Sequence, residues 1–119
     1  MGWLRKMAGG GAGIGPGDAD VLLRSGAVLL DVREPAEWQA GHAPGARHIP
    51  LGALTSRLDE VPRSQRVVVV CRSGSRSARA TALLARSGFD AVNLEGGMLA
   101  WASAGLAVHA RDASPGTVL

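Results

Sequence analysis

One stretch constrains this chain more than any other: Val67-Val68-Val69-Val70-Cys71-Arg72-Ser73-Gly74-Ser75-Arg76-Ser77. β-branched residues are stiff at χ1 and disfavour helix, and a continuous apolar run reads as a strand buried on both faces, as in a parallel sheet. A strand from Arg66 to Val70 therefore ends at Cys71, and a short polar loop leads into a helix expected from about Ser75 to Ser87. Ala78, Ala80, Ala82 and Ala85 let that helix approach a sheet closely, Leu83 and Leu84 add bulk, and Gly88 suits the left-handed position after its end. In open α/β sheets the carboxyl ends of the strands are where ligands bind.

The flanking sequence repeats this alternation. Pro16 to Ser25 reads as a short helix stopped by Gly26, and Ala27 to Leu30 as a buried strand ending at Asp31. Glu34 to Ala40 suits a one- or two-turn helix with Pro35 in its first turn and Gly41 at its end. A loop over Gly41–Ala46 precedes a short strand, Arg47 to Ile49, and Leu51 to Glu60 is helical in pattern through Leu51, Leu54 and Leu58. Ala91 to Leu94 is another strand, and Gly96-Gly97 opens a last helix through Trp101 to about Ala104. Strands alternating with helices imply an α/β fold, a parallel sheet covered on both faces. Residues 1–13 read as a flexible glycine-rich leader, 14–109 as one domain and 110–119 as a tail without clear pattern.

Composition narrows the function classes. Aromatic residues are 3% of the 119 residues and Tyr is absent, which argues against base-stacking surfaces and so against a nucleic-acid partner. Cys71 is the single cysteine, so neither an internal disulfide nor a multi-thiolate metal site is expected; the three histidines, His42, His48 and His109, show no metal-ligand spacing. No apolar run approaches the ~18 residues needed to cross a bilayer, and the first residues make no convincing signal peptide. A cytoplasmic protein of a reducing compartment is the expectation. Between Val61 and Phe89 there are six arginines and no acid, whereas all ten Asp and Glu lie elsewhere. That asymmetry reads as a local basic patch around the cysteine, able to concentrate small anions.

At the cysteine, loop amides and the positive end of the following helix converge on one point, an anion cradle, and Gly74 permits the positive φ that such a turn often needs. A sulfur at that focus, flanked by Arg72 and Arg76, is expected to ionise below the free-thiol value of ~8.5 and to be nucleophilic near neutral pH. Cys71 is thus the candidate catalytic residue, and Arg72, Ser73, Gly74, Ser75 and Arg76 are the candidate substrate-binding residues. Loop length separates reaction classes. Tyrosine-phosphatase-type enzymes place five residues between cysteine and arginine; here that position is Ser77, and the arginine comes one residue early, at Arg76. The small cradle suits one terminal sulfur better than a phosphate ester.

With these motifs the chain resembles the short, single-domain members of the rhodanese family of sulfurtransferases. The resemblance spans about Ile14 to Val108 through four motifs: Leu29-Leu30-Asp31-Val32-Arg33-Glu34-Pro35; Gly41-His42-Ala43-Pro44-Gly45-Ala46 with His48-Ile49-Pro50-Leu51; the loop Cys71 to Arg76; and Asn93-Leu94-Glu95-Gly96-Gly97 with Trp101. It implies a three-layer domain with a parallel sheet of about five strands and helices on both sides. It implies a persulfide on Cys71, held by the loop, with sulfur passing from thiosulfate or another small anionic donor to a thiol, to cyanide or to a protein acceptor. Arg72 or Arg76 would steady the departing anion, and no metal or organic cofactor is needed. The alternative is a carrier or interaction module that delivers persulfide sulfur to a partner protein.

Asp31 and Arg33 end a strand at the same sheet edge. They are supporting residues, either adding to the cradle's field or, as the resemblance implies, bracing the loops as a buried ion pair. His42 and His48 are assigned to loop packing rather than to a base beside Cys71. Trp38 and Trp101 are assigned to the core, Trp101 with a second option at the pocket mouth.

Overall fold

The computed structural model describes residues 13–119. The glycine-rich leader lies outside the described residues except for Gly13, which opens strand β1 (Gly13–Ile14). Helix α1 (Pro16–Arg24), β2 (Val28–Asp31), α2 (Pro35–Ala40), β3 (Arg47–His48), α3 (Leu51–Leu54), β4 (Val67–Val70), α4 (Ser75–Arg86), β5 (Ala91–Leu94) and α5 (Gly97–Ser103) follow. The five strands form one sheet in the order β1-β5-β4-β2-β3, every neighbouring pair parallel. This is the expected α/β architecture. The strand not read from the sequence is β1, whose two residues pair with Asn93 and Leu94 and are too few for an apolar run to show.

The four valines explain why β4 is central. Each is fully buried, and strand alternation sends them to opposite faces. Val67 and Val69 join Leu30, Leu54, Ala80 and Leu84 under α3 and α4, while Val68 and Val70 join Leu29, Val92, Met98 and Trp101 under α1 and α5. Trp101 is 5% exposed and its indole N–H donates to the Ala107 carbonyl at 2.9 Å, so it is a core residue.

Leu51 to Glu60, expected as one helix, is divided: α3 stops at Leu54 and Thr55–Glu60 continues as a 3₁₀ helix with a kink at Arg57. Ser56 Oγ bonds back to the Ala53 carbonyl at 3.0 Å, competing with the α-helical pattern. Arg57 and Glu60, three apart, form a two-point ion pair that suits three residues per turn. The tail, patternless in sequence, also has a place. His109 bridges antiparallel to His42 and to Pro115, and Thr117 N–H reaches the Ala40 carbonyl at 2.9 Å. Gly41 makes room for this. A Cβ there would lie 2.3 Å from the Thr117 carbonyl oxygen.

At the end of β2, Asp31 and Arg33 form an ion pair with both side chains 0% exposed. Asp31 Oδ1 accepts from the backbone N–H and Nε of Arg33, each at 3.0 Å, and Oδ2 accepts from Nη2 at 2.8 Å. Nη2 also donates to the Gly41 carbonyl at 2.7 Å, and the Arg33 carbonyl accepts from His48 Nε2 at 2.7 Å. One buried pair therefore joins the β2 edge to the loop after α2 and to β3. Removing one partner leaves a buried charge unpaired, so Arg33→Met is expected to cost about 3–5 kcal/mol in urea unfolding. The double substitution Asp31→Leu with Arg33→Met should cost less than Arg33→Met alone; equal or larger cost would contradict the ion-pair reading.

Candidate active site

Cys71 follows β4 directly, at the carboxyl edge of the sheet. Its side chain is directed to the α4 face, among Leu30, Val69 and Ala80, and the residue is 1% exposed. Arg72, Ser73 and Ser75 are exposed, so the sulfur lies on the floor of the loop and these residues make the rim. Gly74 supplies the turn. Its φ of 118° is open to glycine, and it serves as the N-cap of α4. That curvature aims the Gly74 N–H at Cys71 Sγ, 3.1 Å away, and brings the Ser77 hydroxyl within 3.2 Å of the same atom.

Burial by itself would push the Cys71 thiol up. The Ser77 hydroxyl and the amides of Ser77, Gly74 and Ser73 act against it, and together they hold the thiol below its ordinary range. The direction is the one expected, but its origin differs. Amides and a hydroxyl hold the sulfur, while the guanidinium groups of Arg72 and Arg76 have other partners.

Arg76 points to α2, where Nη1 and Nη2 donate to Glu37 Oε1 and Oε2 at 2.7 and 2.9 Å. Glu37 also accepts from the Glu34 backbone N–H at 3.0 Å within the capping box of α2. The Arg76 bond is the main reason its carboxyl falls to about 2; partial burial opposes this, while the Glu34 amide and the charges of Arg76 and Arg33 add to it. Arg76 is held correspondingly firmly in its charged form by Glu37, with the Cys71 charge adding to the effect. Arg72 Nε donates to the Leu119 carbonyl at 2.6 Å, which brings the end of the tail to the rim.

Other members of the acid-free stretch lie elsewhere. Arg66 precedes β4, at the opposite end of the sheet from Cys71, and binds Asp90 at 2.9 Å. Arg63 lies over the Phe89 ring and donates to the Ser87 carbonyl, beyond the end of α4. The basic patch read from the sequence is therefore divided between the two ends of the sheet, because β4 and α4 separate its members by about 3.3 Å per strand residue and 1.5 Å per helix residue.

Three further residues complete the loop, and none was among the candidate site residues. Gly97 has φ 59°, and a Cβ there would lie 2.4 Å from the Arg72 carbonyl oxygen. This close approach lets Met98 and Leu99 N–H donate to the carbonyls of Cys71 and Arg72 at 2.8 and 3.1 Å. Asn93 Nδ2 donates to the Gly74 carbonyl at 3.2 Å. Glu37 is the third. A glutamate four residues before a loop glycine carries no signal of its own, since its partner is distant in sequence. The histidines are engaged elsewhere: His42 Nδ1 donates to the Trp38 carbonyl at 2.7 Å, and both imidazoles stack on Trp38 with centroids 3.6 Å (His42) and 4.8 Å (His48) away.

This geometry agrees with what the comparisons find. The Rhodanese-like domain model matches residues 16–104. The chain belongs to the rhodanese family. A sulfurtransferase of Allochromatium vinosum is 43% identical over 86 residues, covering 71% of this chain and 80% of that protein. A second relative, named "Probable adenylyltransferase/sulfurtransferase MoeZ" in Mycobacterium tuberculosis, is 44% identical over 78 residues, covering 63% of this chain but only 20% of that longer protein. Among solved structures, a rhodanese-related protein from Thermoplasma volcanium superposes with a TM-score of 0.77 at 31% identity, covering 82% of this chain and 96% of that one.

The Glu37–Arg76 bond has a pH signature in this rhodanese domain. A carboxyl held at about 2 when folded and near 4.5 when unfolded stabilises the fold fully above pH 4.5, and that contribution is lost as pH falls towards 2. Both side chains are under a third exposed, so the contribution is about 2–3 kcal/mol. Urea unfolding as a function of pH should show this loss between pH 5 and 2 (about these limits) in the wild type and a flatter profile in Glu37→Gln. Parallel profiles would contradict the assignment.

Proposed function

We propose that this rhodanese-family protein is a sulfurtransferase that carries sulfane sulfur as a persulfide on Cys71, taking it from thiosulfate or a persulfide donor and passing it to a thiol or cyanide. The observation that carries the reading is the pair of donors on Cys71 Sγ, Gly74 N–H at 3.1 Å and Ser77 Oγ at 3.2 Å. The relatives named sulfurtransferases support it.

In the first half-reaction the Cys71 thiolate attacks the outer sulfur of thiosulfate. An S–S bond forms at Cys71, the sulfur–sulfur bond of the donor breaks, and sulfite leaves with that electron pair. Loop amides receive the negative charge of the persulfide. Of the two arginines, Arg72 at the exposed rim is assigned to the departing sulfite and Arg76, held by Glu37 through both terminal nitrogens, to shaping the loop. In the second half-reaction an acceptor thiolate or cyanide attacks the outer sulfur, and Cys71 leaves as thiolate. Asp31 and Arg33 support the site from below as a brace. The cycle requires no cofactor, and a reducing cytoplasm would keep Cys71 available.

A second reading is favoured by the match to one fifth of a longer adenylyltransferase/sulfurtransferase: the domain as a module that hands its persulfide to a partner protein. The chemistry at Cys71 is the same, and relative transfer rates to small thiols and to protein thiols separate the two.

Because Cys71 is the single cysteine, intact-mass spectrometry reads the first half-reaction cleanly. The reduced protein incubated with thiosulfate should gain the mass of one sulfur atom, and Cys71→Ser should gain nothing. No gain in the wild type, or a gain that persists in Cys71→Ser, overturns the proposal.

A further inference from the structure

Asn93 is a polar residue in a strand whose four residues are all buried; it is 6% exposed and shares the α4 face of β5 with Ala91. Burying an amide is costly, and this one makes a single bond: Nδ2 donates to the carbonyl oxygen of Gly74 at 3.2 Å, while the buried Oδ1 has no partner among the described residues. The Gly74 oxygen is crowded. It also accepts the Ala78 N–H of α4 at 3.0 Å and lies 3.2 Å from the Ser77 hydroxyl.

The Ser77 hydroxyl is therefore within 3.2 Å of two acceptors, the Gly74 carbonyl and Cys71 Sγ, and owns one proton. A carbonyl oxygen has two lone pairs. Ala78 takes one as a fixed bond of the helix backbone. We propose that Asn93 is a positioning residue: by occupying the second lone pair of the Gly74 carbonyl, it directs the single Ser77 proton to the sulfur of Cys71. While Cys71 is a thiol, its S–H is free to donate to Ser77 Oγ. When the thiolate forms, the Ser77 O–H must turn to sulfur, and that turn costs least when the carbonyl no longer competes for it. Asn93 thus favours the anion without touching it.

The relevance of this arrangement to sulfur transfer rests on the Cys71 persulfide reading, so the test reads ionisation rather than turnover. Alkylation of Cys71 by iodoacetamide, followed across pH, reports the thiolate directly. The variants are Ser77→Ala, Asn93→Leu and the two combined. Leu keeps the branched heavy-atom shape of Asn with apolar ends, and a thermal melt verifies the fold; Asn93→Ala provides the same reading through a smaller side chain. The charged groups on the surrounding elements stay constant through the series: Arg72 in the loop, Arg76 on α4, Glu34 and Glu37 by α2, Asp31 and Arg33 by β2, His48 on β3 and Glu95 past β5.

Ser77→Ala and Asn93→Leu should each move the alkylation profile to higher pH and slow the reaction at neutral pH, Ser77→Ala by about 10-fold or more for loss of a hydrogen bond to a charged group and Asn93→Leu by less. In the Ser77→Ala background, Asn93→Leu should have no further effect. An unchanged profile in Asn93→Leu overturns the proposal. So does an equal loss in both backgrounds, which would make Asn93 a general support of the loop. Coupled profiles in a protein that fails to load sulfur from thiosulfate would leave this assignment standing and overturn the donor instead.

Discussion

The hydrogen bonds from Gly74 N–H and Ser77 O–H to Cys71 Sγ give the rest of the structure its purpose. A sulfur anion among Leu30, Val69 and Ala80 is disfavoured by burial, and it exists there only if dipoles already point at it before it ionises. Holding those dipoles is a task shared by the surrounding elements. β4 delivers the sulfur to the sheet edge, Gly74 turns the chain into α4, and Met98 and Leu99 at the start of α5 fasten the Cys71 and Arg72 carbonyls. A loop tied at both ends does not need to reorganise when charge appears, which is the condition for a fixed cradle to act on a developing charge.

Behind the loop, charges alternate in sign along Asp31, Arg33, Glu37, Arg76 and the Cys71 thiolate. The links differ in strength. Asp31–Arg33 is fully buried with several hydrogen bonds, and Glu37–Arg76 is bidentate and partly exposed. Arg33 and Glu37, like Arg76 and Cys71, act on one another through charge. The series makes each charge a neighbour of its opposite, while the anion at its end takes its main support from the loop amides and the Ser77 hydroxyl. The same residues join β2, α2 and α4, so fold stability and site electrostatics rest on shared contacts.

Much of this was legible in the sequence where local rules govern. Four valines specify a central parallel strand, a glycine after a cysteine specifies a turn with positive φ, and Pro35 with Gly41 brackets a short helix. What could not be read was set by partners far away in the chain. Arg76 looks like an anion ligand until Glu37, 39 residues earlier, is placed beside it. Six arginines without an acid look like one patch, until a strand and a helix carry Arg63 and Arg66 to the far end. Asn93 and Ser77 looked ordinary because neither residue type announces a role; only their common approach to the Gly74 carbonyl does. The tail had no periodicity to read, since it docks mainly through its own backbone atoms, to Ala40 and to the Arg72 side chain, with Val118 alone packed against the core.

The ionisation of Cys71 itself tests the central claim most directly. The chain has no tyrosine and no other cysteine, so the ultraviolet absorbance of a thiolate can be followed against pH without interference. The cradle predicts that Cys71 titrates clearly below the ordinary thiol value of about 8.5. Titration at or above that value would mean that burial prevails over the donors, and would contradict the reading of this loop as a built anion site.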